Sequence, residues 1–173
     1  MRVLRTPHSP YGRVALGGIR LLGLGLILSF LANCAKPPPP PPKPVVTPVA
    51  LTLVAAADAN PDARGRASPL TVRVYALKTT GAFESADFFT LFEKDQATLG
   101  AEMIQREEML LRPGESKKLE MTLPADAKAL GVIAAYRDLE RARWREVRVV
   151  EPGKPLVLTV GLGARQIRIE PAK

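Results

Sequence analysis

A chain of 173 residues with one cysteine, Cys34, and one histidine, His8, cannot close an internal disulfide, and beyond Cys34 it holds neither residue type. That excludes Ser-His-Asp and Cys-His catalysis and the usual zinc ligand sets from the bulk of the chain. The formal charge of +8 is uneven: residues 1–33 carry four arginines and no acid, so the remainder is only +4 and mixes both signs.

The amino-terminal segment reads as an export signal. Arg2, Arg5, Arg13 and Arg20 precede the apolar run Leu21 to Ala32, and small residues follow. The run is about half of the roughly 20 residues that a membrane span requires, and Arg20 blocks its extension upstream. Leu31, Ala32, Asn33 and Cys34 then resemble the lipobox of bacterial lipoproteins, with Asn33 where Gly, Ala or Ser is usual. The resemblance implies cleavage before Cys34, a diacylglyceryl group on its thiol and an acyl group on the new amine. Ala35 rather than Asp after the cysteine implies sorting to the outer membrane. Two or three acyl chains, each buried methylene contributing about 0.8 kcal/mol, hold a protein durably where one chain does not. Lys36 and Lys43 add weak attraction to anionic headgroups.

Residues 34–48 form the next unit. Pro37 to Pro42, Pro44 and Pro48 lack amide donors, which predicts a polyproline II spacer of about 3.1 Å per residue rather than helix or paired strand. A ligand for a proline-recognition module is the alternative.

Residues 49–173, about 125 in number, suit one domain. Period-two alternation predicts strands at Val49–Leu53, Leu70–Tyr75, Leu119–Leu123, Leu156–Val160 and Gln166–Ile169. Leu130–Tyr136 is apolar on both faces and reads as a central strand, and Trp144–Val150 as a further one. Pro113-Gly114 and Pro152-Gly153 predict type II turns. Many short strands between turns argue for an antiparallel sandwich.

Phe83 to Glu93 breaks this pattern. Phe88, Phe89, Leu91 and Phe92 predict a short helix over 86–94, with Ser85 as N-cap and Asp87 in the first turn. A second helical turn is expected over 96–103. The phenylalanines either close one open end of the sandwich or form a partner site. The basic stretch from Arg137 to Arg148 contains Asp138, Glu140 and Glu146, and reads as a solvated edge or turn rather than a nucleic-acid patch.

The connection from Ala55 to Pro69 is long for a compact domain, and such loops are often functional. Asn60-Pro61 favours a turn, Gly65 supplies conformational freedom, and Asp62, Arg64 and Arg66 offer charged hydrogen-bond groups. A merely tolerated insertion has the same composition.

Several stretches, in order, resemble the TssJ (SciN) family of outer-membrane lipoproteins of the type VI secretion system. They are Asn60–Gly65 with Ser68-Pro69, Val72–Leu77, Phe83 with Ser85–Leu91, Arg112–Glu115, Gly131–Arg137 and Arg143-Trp144. The resemblance implies a transthyretin-like antiparallel β-sandwich with one or two short added helices, and a binding protein rather than an enzyme. It implies a domain facing the periplasm, held in the outer membrane by lipid on Cys34, with no other cofactor. The implied partner is the periplasmic C-terminal region of TssM, not nucleic acid or a small-molecule substrate. By position the contact loop is Ala57 to Pro69, with Asn60, Pro61, Asp62, Arg64, Gly65 and Arg66 as its partner-binding residues. A sandwich that carries a small apolar ligand is the alternative.

Overall fold

The computed structural model describes residues 44–172. The readings for residues 1–33, Cys34 and the spacer as far as 43 lie outside the described residues. Eight strands occur among those described: β1 (Val46–Ala55), β2 (Leu70–Leu77), β3 (Met103–Leu111), β4 (Ser116–Pro124), β5 (Ala129–Ala134), β6 (Arg145–Val149), β7 (Leu156–Leu162) and β8 (Ile167–Pro171). Three helical turns lie between β2 and β3: α1 (Gly81–Ser85), α2 (Phe88–Glu93) and α3 (Asp95–Leu99), followed by a 3₁₀ turn at Gly100–Glu102.

The strands form two four-stranded sheets, ordered β4-β1-β7-β8 and β3-β2-β5-β6. The expected mainly β sandwich is therefore present. One pair departs from antiparallel order, because β7 runs parallel to β1. Alternation explains the layering. Val49, Leu51, Leu53 and Ala55 of β1 face Val72, Val74 and Ala76 of β2 across a core that also holds Leu123, Leu130, Val132, Leu158 and Val160.

β1 begins at Val46, so the last three residues of the predicted spacer are strand. Pro48 is tolerated because pairing with β7 starts only at Val49. Buried Thr47 joins the core edge, its Oγ1 accepting from Gly153 N at 2.7 Å. Both predicted Pro-Gly turns form, with positive φ of 79° at Gly114 and 80° at Gly153.

The helical segment does not close an open end of the sandwich. It covers the outer face of the second sheet, where Tyr75, Leu77, Ala129 and Ile133 meet Phe83, Leu91 and Leu99. β5 is thereby buried on both faces, as its composition predicts. Gly131 is the notch for Phe83: a Cβ there would lie 2.6–2.9 Å from three ring carbons. The cap of α2 is Asp87, not Ser85; its carboxylate accepts from Thr90 N at 3.0 Å. α1, which the apolar pattern did not announce, has no side-chain cap and is held instead by Arg145, whose Nη1 donates to Phe83 O and Ala86 O at 2.9 and 2.7 Å.

A buried charge ties this layer to the sheet. Asp95, 5% exposed, accepts from Arg106 Nη1 at 2.7 Å and Tyr75 Oη at 3.2 Å, with Arg73 Nη1 at 3.5 Å. Burial pushes the Asp95 carboxyl up, but the Arg106 guanidinium and the Gln96 amide outweigh it and hold the group below its ordinary range. Burial likewise pushes the Tyr75 phenol up to about 12. Because the folded carboxyl is depressed, its stabilisation is complete above the unfolded value of about 3.9 and is lost as pH falls through the folded value. Asp95→Asn is expected to cost about 2 kcal/mol at pH 7, less than a fully buried pair because Arg106 is half-exposed. Urea melts should show the gap to the parent narrowing as pH falls towards 3; a gap independent of pH would assign the loss to packing.

Candidate functional site

β1 carries the chain from its entry at Val46 to the opposite end of the sandwich, ten residues or about 33 Å away. Four connections meet at that far end: 56–69, 112–115, 135–144 and 163–166. The 56–69 loop is fixed at its root by backbone bonds, Ala55 N to Glu115 O and Ala56 N to Leu162 O, both 2.9 Å. Gly114 N closes the same junction on Ala55 O at 3.0 Å.

Asn60 does not sit where a partner contact would. It is 2% exposed and has a φ of +51°, the left-handed region that asparagine tolerates better than most residues. Its Nδ2 donates to Pro69 O and its Oδ1 accepts from Arg137 N, each at 2.8 Å. With Ser68 N donating to the O of fully buried Ala59 at 3.1 Å, this amide pins both limbs of the loop to the β5–β6 connection.

The tip, 61–66, is organised by Asp62. Its Oδ1 accepts from the backbone N–H groups of Arg64 and Arg66, both at 2.9 Å. Its Oδ2 meets Arg66 Nε at 2.9 Å and Nη2 at 2.8 Å. The Arg66 amide is the main cause that holds the Asp62 carboxyl below its ordinary range. Gly65 turns the chain at φ +77°. No atom lies near where its Cβ would be, so glycine is required there by conformation rather than by space. Arg66 is thus engaged inside the loop. Arg64 is exposed and has no side-chain ion pair among the described residues.

An open cleft of about 540 Å³ lies beside the tip, lined by Pro61, Asp62, Ala63 and Gly65 on one wall and Arg137, Asp138, Arg141 and Arg165 on the other. The second wall is held together by Asp138, whose Oδ2 lies 3.0 Å from Arg165 Nε and 3.6 Å from Arg141 Nε. Behind it, Tyr136 Oη donates to Gln166 O at 2.8 Å, and burial raises its phenol pKa. Arg143 N donates to Arg165 O at 2.8 Å, which fastens 135–144 to 163–166.

The geometry therefore brings together Pro61, Asp62 and Gly65 along the cleft, leaves Arg64 and Arg66 exposed on the tip outside its lining, and withdraws Asn60 into the scaffold. Sequence reading passed over the second wall. Arg137 and Arg141 were legible as a polar turn, whereas nothing near Arg165 signalled that it would meet them. Among the described residues, no group of three His, Cys, Asp or Glu side chains could hold a metal ion. No helix described is long and apolar enough to cross a membrane.

Fold and site together define a β-sandwich module that presents interlocked polar loops at one end and a helical layer on one sheet. The family model described as type VI secretion lipoprotein (T6SS-SciN, covering VasD, EvfM and TssJ) matches residues 47–165. Among solved structures, the T6SS lipoprotein TssJ1 from Pseudomonas aeruginosa matches with 44% identity and a TM-score of 0.71, over 73% of this chain and 97% of that one. Serratia marcescens Lip, a membrane-bound component of the type VI secretion system, matches with 26% identity and a TM-score of 0.68, over 75% and 99%. A chain in the structure described as the TssM C-terminal domain from EAEC matches with 28% identity and a TM-score of 0.60, over 72% and 98%. No curated protein matches. The chain belongs to the type VI secretion lipoprotein family, TssJ.

Proposed function

We propose that this protein is an outer-membrane lipoprotein that anchors the type VI secretion membrane complex by holding the periplasmic C-terminal region of TssM. Acyl chains on Cys34 fix it to the membrane, the domain faces the periplasm, and the 61–66 tip makes the contact. The observation that carries this reading is the placement of the tip: it is pinned by buried Asn60 and displayed at the end of the sandwich away from where the chain enters at Val46. Such a loop is ordered before binding, so little entropy is lost when a partner docks. Pro61, Asp62, Arg64, Gly65 and Arg66 supply or shape the contact, and Asn60 positions them. The work is mechanical and requires no catalytic group. Family membership and the matched structure described as a TssM domain support the assignment of the partner.

Deleting the loop would remove Ala59 and Asn60 from the interior and confuse folding with binding. The sharper test replaces residues 61–66 with a Gly/Ser segment of equal length and keeps Asn60 and Ser68. Affinity for the TssM periplasmic C-terminal region, measured with the detergent-solubilised lipoprotein, is expected to fall about tenfold or more, equivalent to about 1.4 kcal/mol. The thermal midpoint should move by only a few degrees. Unchanged affinity would remove the loop from the mechanism.

A further inference from the structure

We infer that the cleft between the loop tip and the 135–144 and 163–166 connections is a carboxylate-binding site, and that it takes acidic side chains of the periplasmic partner. This rests on the docking reading above and names the chemistry that the docking surface selects. Arg66 is matched to Asp62, whose two oxygens are filled by Arg66 and by two backbone amides. That wall of the cleft is internally neutral.

The opposite wall is not. Arg165 and Arg141 both turn Nε towards one oxygen of Asp138, at 3.0 and 3.6 Å. Their side chains remain 44% and 76% exposed, and no bond from the terminal amino groups of either is found among the described residues. A guanidinium has five N–H donors in a planar fork, so each keeps a pair suited to a bidentate carboxylate. Asp138 acts as a positioning residue that aims both forks. Arg137 is exposed and lines the same cleft, and its side chain has no ion pair among the described residues. Arg64, outside the cleft lining, is exposed on the neighbouring tip. Three guanidinium groups, those of Arg137, Arg141 and Arg165, therefore line the cleft, with Asp138 shared by two of them.

Carboxylates suit this arrangement better than a phosphate-dense polyanion does. Asp58, Asp62, Asp138 and Glu140 are interleaved among the arginines of this end and would repel a ligand of continuous charge. Discrete Asp or Glu side chains on a folded partner can address the gaps. Charge pairs at a rim of this kind govern register and association rate, and they weaken with salt.

The test uses the solubilised lipoprotein and the TssM periplasmic C-terminal region at 50 and 500 mM NaCl. The parent should bind about tenfold more weakly at the higher salt. Arg137→Glu and Arg141→Glu should each weaken low-salt binding by about tenfold and reduce the salt dependence, with Arg137→Gln intermediate. Polyglutamate should compete, and inorganic polyphosphate of equal charge should compete less. Thermal melts should show the variants folded, since both side chains are exposed. If Arg137→Glu does not fold, Arg137→Gln and the parent's salt titration carry the decision. Salt-independent binding with charge-reversed variants within twofold of the parent overturns the inference and leaves the loop contact standing. Stronger competition by polyphosphate overturns it in favour of a phosphate ligand. No binding by the parent at either salt overturns the docking reading, and the inference with it.

Discussion

Serine in place of Cys34 is expected to release the protein from the outer membrane almost completely. The expectation follows from acyl-chain arithmetic. At about 0.8 kcal/mol per buried methylene, a single chain gives marginal, reversible binding, and a second or third makes dissociation negligible. Serine cannot form the thioether, so all of that attachment goes at once. The apolar run Leu21 to Ala32 cannot substitute, because even if it stays uncleaved it is about half the length of a span. What remains would be headgroup attraction from Lys36 and Lys43, which salt removes. Fractionation after a high-salt wash should find the parent in the outer membrane and labelled by palmitate, with Cys34→Ser unlabelled and in the soluble fraction. An unlabelled variant that still sediments with the outer membrane would show that the protein is held there by something other than lipid. Cys34→Ala should behave like the serine variant, since both lack the thiol.

The sandwich was legible because its inner faces alternate. β1, β2, β4, β7 and β8 each set apolar residues at every second position, and the core is assembled from them. β3 was not legible. It is an edge strand whose middle reads Gln105, Arg106, Glu107 and Glu108, half-buried on one side and polar along both, so helix and strand templates fit it equally poorly. Its place is set by pairing with β2 and by the Arg73 and Arg106 bonds to Asp95 and Glu108, none of which is local in sequence. The phenylalanine segment is helical as its pattern predicts, but it packs on a sheet face instead of closing an end, the first of the two roles its sequence leaves open, because amphipathicity says that a face is buried without saying against what. The notch at Gly131 answers that question, 48 positions after Phe83.

The loop shows the same limit at the level of function. Composition marks 57–69 as special, and of the tip residues it singles out Arg64 and Arg66 are exposed while Pro61, Asp62 and Gly65 line the cleft. It could not separate the residue that builds the loop from those that present it. Asn60-Pro61 in a charged stretch looks like a solvated turn. Its burial depends on Arg137, 77 positions later. Arg165 is a still plainer case, since it enters the cleft only because the β7–β8 turn folds against 135–144. Sites assembled from three loops at one end of a sandwich are written in pieces, and each piece alone resembles an ordinary surface turn.

Asn60→Ala should therefore act on stability and binding together, and more strongly than any substitution at the tip. The alanine removes one donor and one acceptor from a buried position, leaving Pro69 O and Arg137 N without partners, at about 1–3 kcal/mol for such groups. It also places a Cβ-bearing residue without a local hydrogen-bonding side chain at a φ of +51°, which adds about 1 kcal/mol. A total of about 2–4 kcal/mol is a large part of the 5–15 kcal/mol that typical domains possess. Asn60→Gly separates the two causes. Glycine accepts the backbone angle and lacks the amide, so it should recover about 1 kcal/mol of the alanine loss and none of the hydrogen bonding. Denaturant melts are thus expected to rank Asn60 above Gly and Gly above Ala. Affinity for TssM should follow the hydrogen bonding instead: both variants should bind weakly and alike, because each frees the tip from the wall that carries Arg137, Arg141 and Arg165. If glycine restored binding as well as stability, the role of Asn60 would be to turn the chain rather than to join the two walls of the cleft.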